Sequence, residues 1–148
     1  MYIFVLKLEN NKYYIGNTYN PYFSLETYKN IDNDKNLFTL NNKPISVFAF
    51  FPKCDEFDED KIVKKYMDEY GIDNVRGGSY NTLNLDNNVD YFIQRELWYI
   101  NNKCTICGGH HFTNDCENEK KIKDKIQNDK IQNNKQRKCL CFKFFNYI

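Results

Sequence analysis

Tyr2-Ile-Phe-Val-Leu-Lys-Leu8 and Lys12-Tyr-Tyr-Ile-Gly-Asn-Thr18, joined by Glu9-Asn10-Asn11, decide the fold class of this chain. Both runs are aromatic and β-branched, side chains that suit a pleated and half-buried surface, and the polar link is short enough for a β-hairpin. A third strand is expected at 44–51 (PISVFAFF), with Pro44 at its first position, where the missing N–H is tolerated. Residues 56–70 read as a helix. Ile62, Val63, Tyr66, Met67 and Tyr70 recur at helical spacing, Asp55 or Asp58 can cap the start, and Gly71 stands where a left-handed C-cap would. A second helix is expected near 86–100, with Asp86 as cap and Val89, Phe92, Ile93, Leu97 and Ile100 on one face. The Asn-rich stretch 22–43 is given a short helix near 22–30. These elements predict an α+β domain over residues 1–100, a small three-stranded and mainly antiparallel sheet with flanking helices.

Beyond it, Cys104-Thr-Ile-Cys107-Gly-Gly-His-His111-Phe-Thr-Asn-Asp-Cys116 gathers three thiols and an imidazole within 13 residues. Zinc takes four N/S ligands in a tetrahedron, and a Cys-x-x-Cys loop presents two thiolates to one ion. Gly108 and Gly109 suit the tight turn after the second thiol. His111 is preferred to His110 because it keeps a four-residue step to Cys116 and precedes Phe112. The pattern resembles a CCHC zinc knuckle, a module that binds single-stranded nucleic acid, with three residues rather than four before the histidine. Residues 101–117 are therefore expected to hold a structural zinc on Cys104, Cys107, His111 and Cys116.

The chain has 148 residues, 41% hydrophobic and 17% aromatic, which allows one modest core and a small appendage. Its apolar runs fall short of the roughly 20 residues of a membrane span, so no membrane partner is expected. No secretory-type start is visible, three of the six cysteines cluster with histidine, and an intracellular, reducing compartment follows as the expectation. The formal net charge of +1 hides an asymmetry: residues 1–116 carry 12 basic and 16 acidic side chains (−4), residues 117–148 carry 9 and 4 (+5). A basic tail after a knuckle is consistent with phosphate contacts, and equally with a solvated lysine-rich surface. Residues 118–148 contain the tandem repeat Asp124-Lys-Ile-Gln-Asn128 and Asp129-Lys-Ile-Gln-Asn133, whose five-residue period forms no apolar stripe. They read as a basic low-complexity tail. Its apolar end, 139–148 (CLCFKFFNYI), is a candidate contact for a protein partner.

Two acids stand on apolar helix faces, Glu59 among Ile62, Val63 and Tyr66, and Glu96 among Val89, Ile93 and Ile100. Acids seldom go inside unless paired or bound to a cation. Glu59 also fits a first helical turn, where the macrodipole favours an anion. Tyr2-Ile3-Phe4, nine residues, then Tyr14-Ile15-Gly16, followed by a helix with an inward glutamate, resembles the GIY-YIG nuclease domain over roughly residues 1–100. Tyr66-Met-Asp-Glu-Tyr-Gly71-Ile-Asp-Asn-Val-Arg76-Gly-Gly-Ser-Tyr80 looks like a block of proteins of large DNA viruses that join such a domain to a zinc knuckle. That resemblance extends the expected location to a host cell or virion.

The resemblance implies a glutamate (Glu59) holding magnesium or manganese if the site is active, a tyrosine (Tyr14) near the attacking water, and an arginine on the phosphate. Gly16 would let the backbone approach closely. Phe4 replaces the first tyrosine, however, and residues 17–43 contain no arginine. Lys29 lacks the bidentate fork that matches a phosphate, which leaves Arg76 to reach the site from elsewhere. Loss of one transition-state charge partner costs about 10²–10³ in rate. The reading is a degenerate nuclease domain in a zinc-dependent nucleic-acid-binding protein, its partner single-stranded DNA or RNA, with Ile106 and Phe112 as a platform for a base and Arg76 as a further contact. The alternatives are a metal-dependent endonuclease, and an assembly protein with structural zinc.

Overall fold

The first apolar run forms strand β1 (Tyr2–Leu8) and the second β2 (Tyr13–Thr18), paired antiparallel with Phe4 opposite Gly16 and Val5 opposite Ile15. The computed structural model describes residues 1–30 and 36–118. Between the strands, Asn10 and Asn11 take φ of 60° and 55°, a left-handed conformation that asparagine accepts more readily than most residues. Strand β3 (Pro44–Phe51) pairs antiparallel with the other side of β1. A fourth strand, β4 (Val75–Gly77), lies parallel to β2, so the sheet runs β3-β1-β2-β4. The α+β class stands, but the sheet is four-stranded and mixed rather than three-stranded. Val-Arg-Gly is too short to show a period; what makes it a strand is its neighbour.

β1 is buried on both faces, which explains its almost unbroken apolar run. Ile3 and Val5 point to one side, where they join Ile15, Val75 and residues of two long helices, including Val63, Met67, Ile93 and Leu97. Phe4, Leu6 and Leu8 point to the other side and meet Phe38. Two short helices border this second core. α1 (Leu25–Asn30) begins where Ser24 Oγ accepts from Thr27 N, as expected near 22–30. α2 (Leu37–Asn41) was not foreseen in the Asn-rich stretch; Asn36 caps it by accepting from Phe38 N at 2.7 Å, and it buries Phe38.

The first long helix, α3, spans Asp58–Tyr70. Asp55 and Asp58 act together at its start. Asp55 Oδ1 accepts from the amides of Phe57 and Asp58, and Asp58 Oδ2 accepts from Asp55 N. Gly71 ends the helix with φ 93° and ψ 144°, positive but extended rather than the left-handed helical cap expected, and its N–H still reaches Met67 O. α4 (Asn87–Ile100) is capped by Asp86, which accepts from Asn88 N. Of its expected apolar face only Ile93 and Leu97, one turn apart, are buried; Val89, Phe92 and Ile100 are exposed. Glu96 is likewise exposed, not inward. Its carboxylate takes the Lys64 ammonium at 2.8 and 2.9 Å, which gives the acid its partner at the surface.

The chain divides into two compact units, Met1–Leu97 and a second beginning at Trp98. Among the described residues no helix is long and apolar enough to cross a membrane. The repeats and the apolar end of the tail lie outside the described residues.

Candidate functional site

In the second unit the backbone folds tightly on itself between the first thiol and the histidine. Gly108 N donates to Cys104 O at 2.7 Å, and Cys104 N donates to Gly109 O at 2.8 Å. Gly108 has φ 71°, and a Cβ there would meet the Trp98 indole at 2.7–2.9 Å. Glycine is therefore required twice over, by the turn and by the ring lying against it. A 3-10 turn at Thr113–Asp115 then returns the chain, and Thr105 N bonds Thr113 Oγ1 to close the loop.

These turns bring the ligand atoms of Cys104, Cys107, His111 and Cys116 within 4.8 Å of one another, a group that can hold a metal ion. Cys107 Sγ lies 3.6 Å from His111 Nε2 and 3.8 Å from Cys116 Sγ. Cys104 and Cys116 are buried, whereas Cys107 and His111 face solvent. Burial pushes the Cys104 thiol up, but the amides of Ile106 and Cys107 and the neighbouring sulfurs outweigh it and bring its pKa down to about 6. A hydrogen bond to Cys116 raises His111, favouring imidazolium beside thiolate while no metal replaces the proton.

The first unit carries a separate cleft of about 350 Å³. Tyr14 and Glu59 both line it, brought together from β2 and the first turn of α3. Phe4, Phe23 and Tyr28 complete an aromatic wall, and Asn17, Thr18 and Asn81 add polar groups. Phe4 stacks on Phe23 with centroids 4.1 Å apart. A Cβ at Gly16 would stand 2.5 Å from Phe4 Cζ, so Gly16 makes room for the aromatic ring opposite it rather than serving only the cleft. Glu59 is held on both oxygens. Asn17 Nδ2 donates to Oε2 at 2.6 Å and Gly78 N donates to Oε1 at 3.0 Å, while neighbouring Asp60 takes Ser79 N. Lys29, exposed on α1, is not among the lining residues.

Arg76 is elsewhere, with 3% of its surface exposed. Its guanidinium donates to the carbonyls of Thr82, Ile72, Val75 and Leu83 and lies over the Phe38 ring. Burial is the main influence on its pKa and lowers it. The expectation that it meets a phosphate is thereby corrected: alternation along β4 turns Arg76 away from Val75 and into the second core, where backbone carbonyls take its donors. Phe112 is 83% exposed on the metal loop and Ile106 half-buried. Sequence reasoning passed over Trp98, whose only signal was a single tryptophan six residues before the first thiol, and over Asn17, Phe23, Tyr28 and Asn81, which chain order does not bring together. Comparison of the chain with models of protein families, with curated proteins and with solved structures finds no match.

Proposed function

We propose that the protein binds single-stranded nucleic acid through a zinc knuckle, and that residues 1–100 are a GIY-YIG-like domain that has lost its chemistry. The observation that carries this reading is the convergence of three sulfurs and one imidazole nitrogen within 4.8 Å. With Zn–S of about 2.3 Å and Zn–N of about 2.0–2.1 Å, a tetrahedron has S–S edges of about 3.8 Å and S–N edges of about 3.6 Å. The separations of 3.8 Å for Cys116–Cys107 and 3.6 Å for Cys107–His111 match two edges of that shape. Zinc in this position closes the loop and takes no part in chemistry, because all four positions are filled by protein. The residues then have simple tasks. The cysteines and His111 fix the loop, Trp98 braces it, and Phe112 offers an exposed ring on which a base can stack, with Ile106 half-buried on the same loop.

A gel-shift or anisotropy titration with a short single-stranded oligonucleotide tests the reading. Phe112→Ala is expected to weaken binding by about 1–3 kcal/mol, the usual value of one stacked base, while zinc content stays at one per chain. Equal affinity in the presence and absence of a chelator would remove the knuckle from the binding site.

The endonuclease reading is favoured by one observation, that Tyr14 and Glu59 share a cleft. Against it stand Phe4 in place of a hydroxyl, the lack of any arginine in the lining, and the two protein donors already on Glu59. Cleavage of single-stranded and duplex DNA with magnesium or manganese, present in the native protein and lost in Glu59→Ala, would reinstate it.

A further inference from the structure

We propose that the cleft of the first unit receives an alkylammonium, a protonated amine on an apolar shaft, in place of a phosphate. Among the described lining residues Glu59 is the single charged side chain, so that wall carries net −1 with no described Lys, Arg or His to offset it. An anionic phosphate entering beside Glu59 meets repulsion in a site with low-dielectric aromatic walls. The hydrogen-bonding balance points the same way. Asn17 Nδ2 and Gly78 N, the donors aimed toward the carboxylate, are both committed to it, and the Tyr28 hydroxyl donates to Thr39 Oγ1. The carboxylate has about four lone-pair sites and uses two of them, one on each oxygen. What the carboxylate lacks is N–H donors for its remaining lone-pair sites, and an ammonium supplies three.

The apolar part of the wall selects among cations. Phe4, Tyr14, Phe23 and Tyr28 surround the cleft with ring surface, which attracts an organic cation and covers a hydrocarbon shaft. Hydrated magnesium keeps its waters and makes poor use of such a wall. The volume, about 350 Å³, admits a short chain such as a butyl group with its ammonium. This inference rests on the cleft alone and stands or falls independently of the knuckle.

The test uses n-butylammonium chloride at constant ionic strength, with n-butanol as its neutral counterpart, inorganic phosphate and magnesium chloride as further arms, and the backbone amides of Asn17 and Gly78 followed by NMR. The amine is expected to shift both resonances saturably and n-butanol to leave them in place. Glu59→Gln should weaken the amine about tenfold, as expected for losing a charged hydrogen-bond partner. Because glutamine opposes an N–H to one of the donors now on Glu59, Phe23→Leu serves as the second variant. It keeps apolar volume, removes a ring face, and should weaken the amine about threefold while leaving n-butanol without effect. Equal shifts by n-butanol, saturation by phosphate or magnesium with none by the amine, or no shift from any of them would overturn the proposal.

Discussion

The metal loop and the aromatic cleft are assembled in opposite ways. The loop draws its four ligands from 13 consecutive residues, and hydrogen bonds within that segment bring them together. The cleft draws on residues from Phe4 to Asn81, gathered by strand register and by the two carboxylates at the start of α3. A local site is a property of spacing. A distributed one is a property of the fold, and it can keep its shape after the side chains needed for chemistry have gone.

The sharpest test of that contrast is removal of the metal. Structural zinc contributes about 10–16 kcal/mol of apparent binding energy in finger peptides, so chelation or Cys116→Ser should unfold the loop outright. Trp98 is the single tryptophan and lies against Gly108, which makes its emission a direct reporter: it should shift red as the indole gains water. The amide resonances of Val5 and Ile15, in the core of the first unit, should hold their positions. If they moved together with Trp98, the loop would not be the self-contained site its spacing implies.

A smaller but still large effect is expected at Arg76. Its removal leaves the part-buried carbonyls of Thr82 and Ile72 and the buried carbonyl of Val75 without their donor, and the cost of such orphaned acceptors puts Arg76→Ala at about 3 kcal/mol in urea unfolding. Oligonucleotide affinity of the folded fraction should not change. Lost affinity at unaltered stability would return Arg76 to the nucleic-acid surface.

Arg76 also marks where the sequence stops being legible. The hairpin, β3, and the two long helices with their Asp55 and Asp86 caps follow from local patterns, and so do all four thiol and imidazole positions. β4 and α2 do not, since three residues and a single turn carry too little period to read. A lone arginine between Val75 and Gly77 looks the same whether it points to phosphate or to four carbonyls; only its place on β4 decides.

Within the cleft the telling position is Gly16. Its partner across the ladder is Phe4, and the added methyl of Gly16→Ala would collide with the ring, an overpacking cost of about 1–3 kcal/mol. Shortening the partner should relieve it. In a double-mutant cycle, Gly16→Ala with Phe4→Leu is expected to be less destabilised than the two single changes added together. Strict additivity would mean that Gly16 answers to something other than Phe4. The cycle thus separates a glycine kept for packing from one kept for access to the cleft, two roles that the Tyr14-Ile15-Gly16 triplet presents alike.

The smallest effect belongs to the other acid that the sequence set on an apolar face. Glu96 and Glu59 look equivalent as helix positions, yet Glu59 bridges two segments through protein donors and Glu96 meets Lys64 at the surface. The side chains of Lys64 and Glu96 are 27% and 45% exposed, so Glu96→Gln should cost less than about 1 kcal/mol. The hydrogen bond from Glu96 is the main cause of a raised Lys64 pKa, and this fixes the sign of the pH dependence. Below the ordinary lysine value of 10.5 the ammonium is charged in both folded and unfolded chains, and the pair contributes in full. As pH climbs through the higher folded value the contribution is lost. The gap in melting temperature between native protein and Glu96→Gln should therefore be small near neutral pH and close in strong alkali. A gap that instead stayed open there would place the role of Glu96 in packing, as its helix position first suggested.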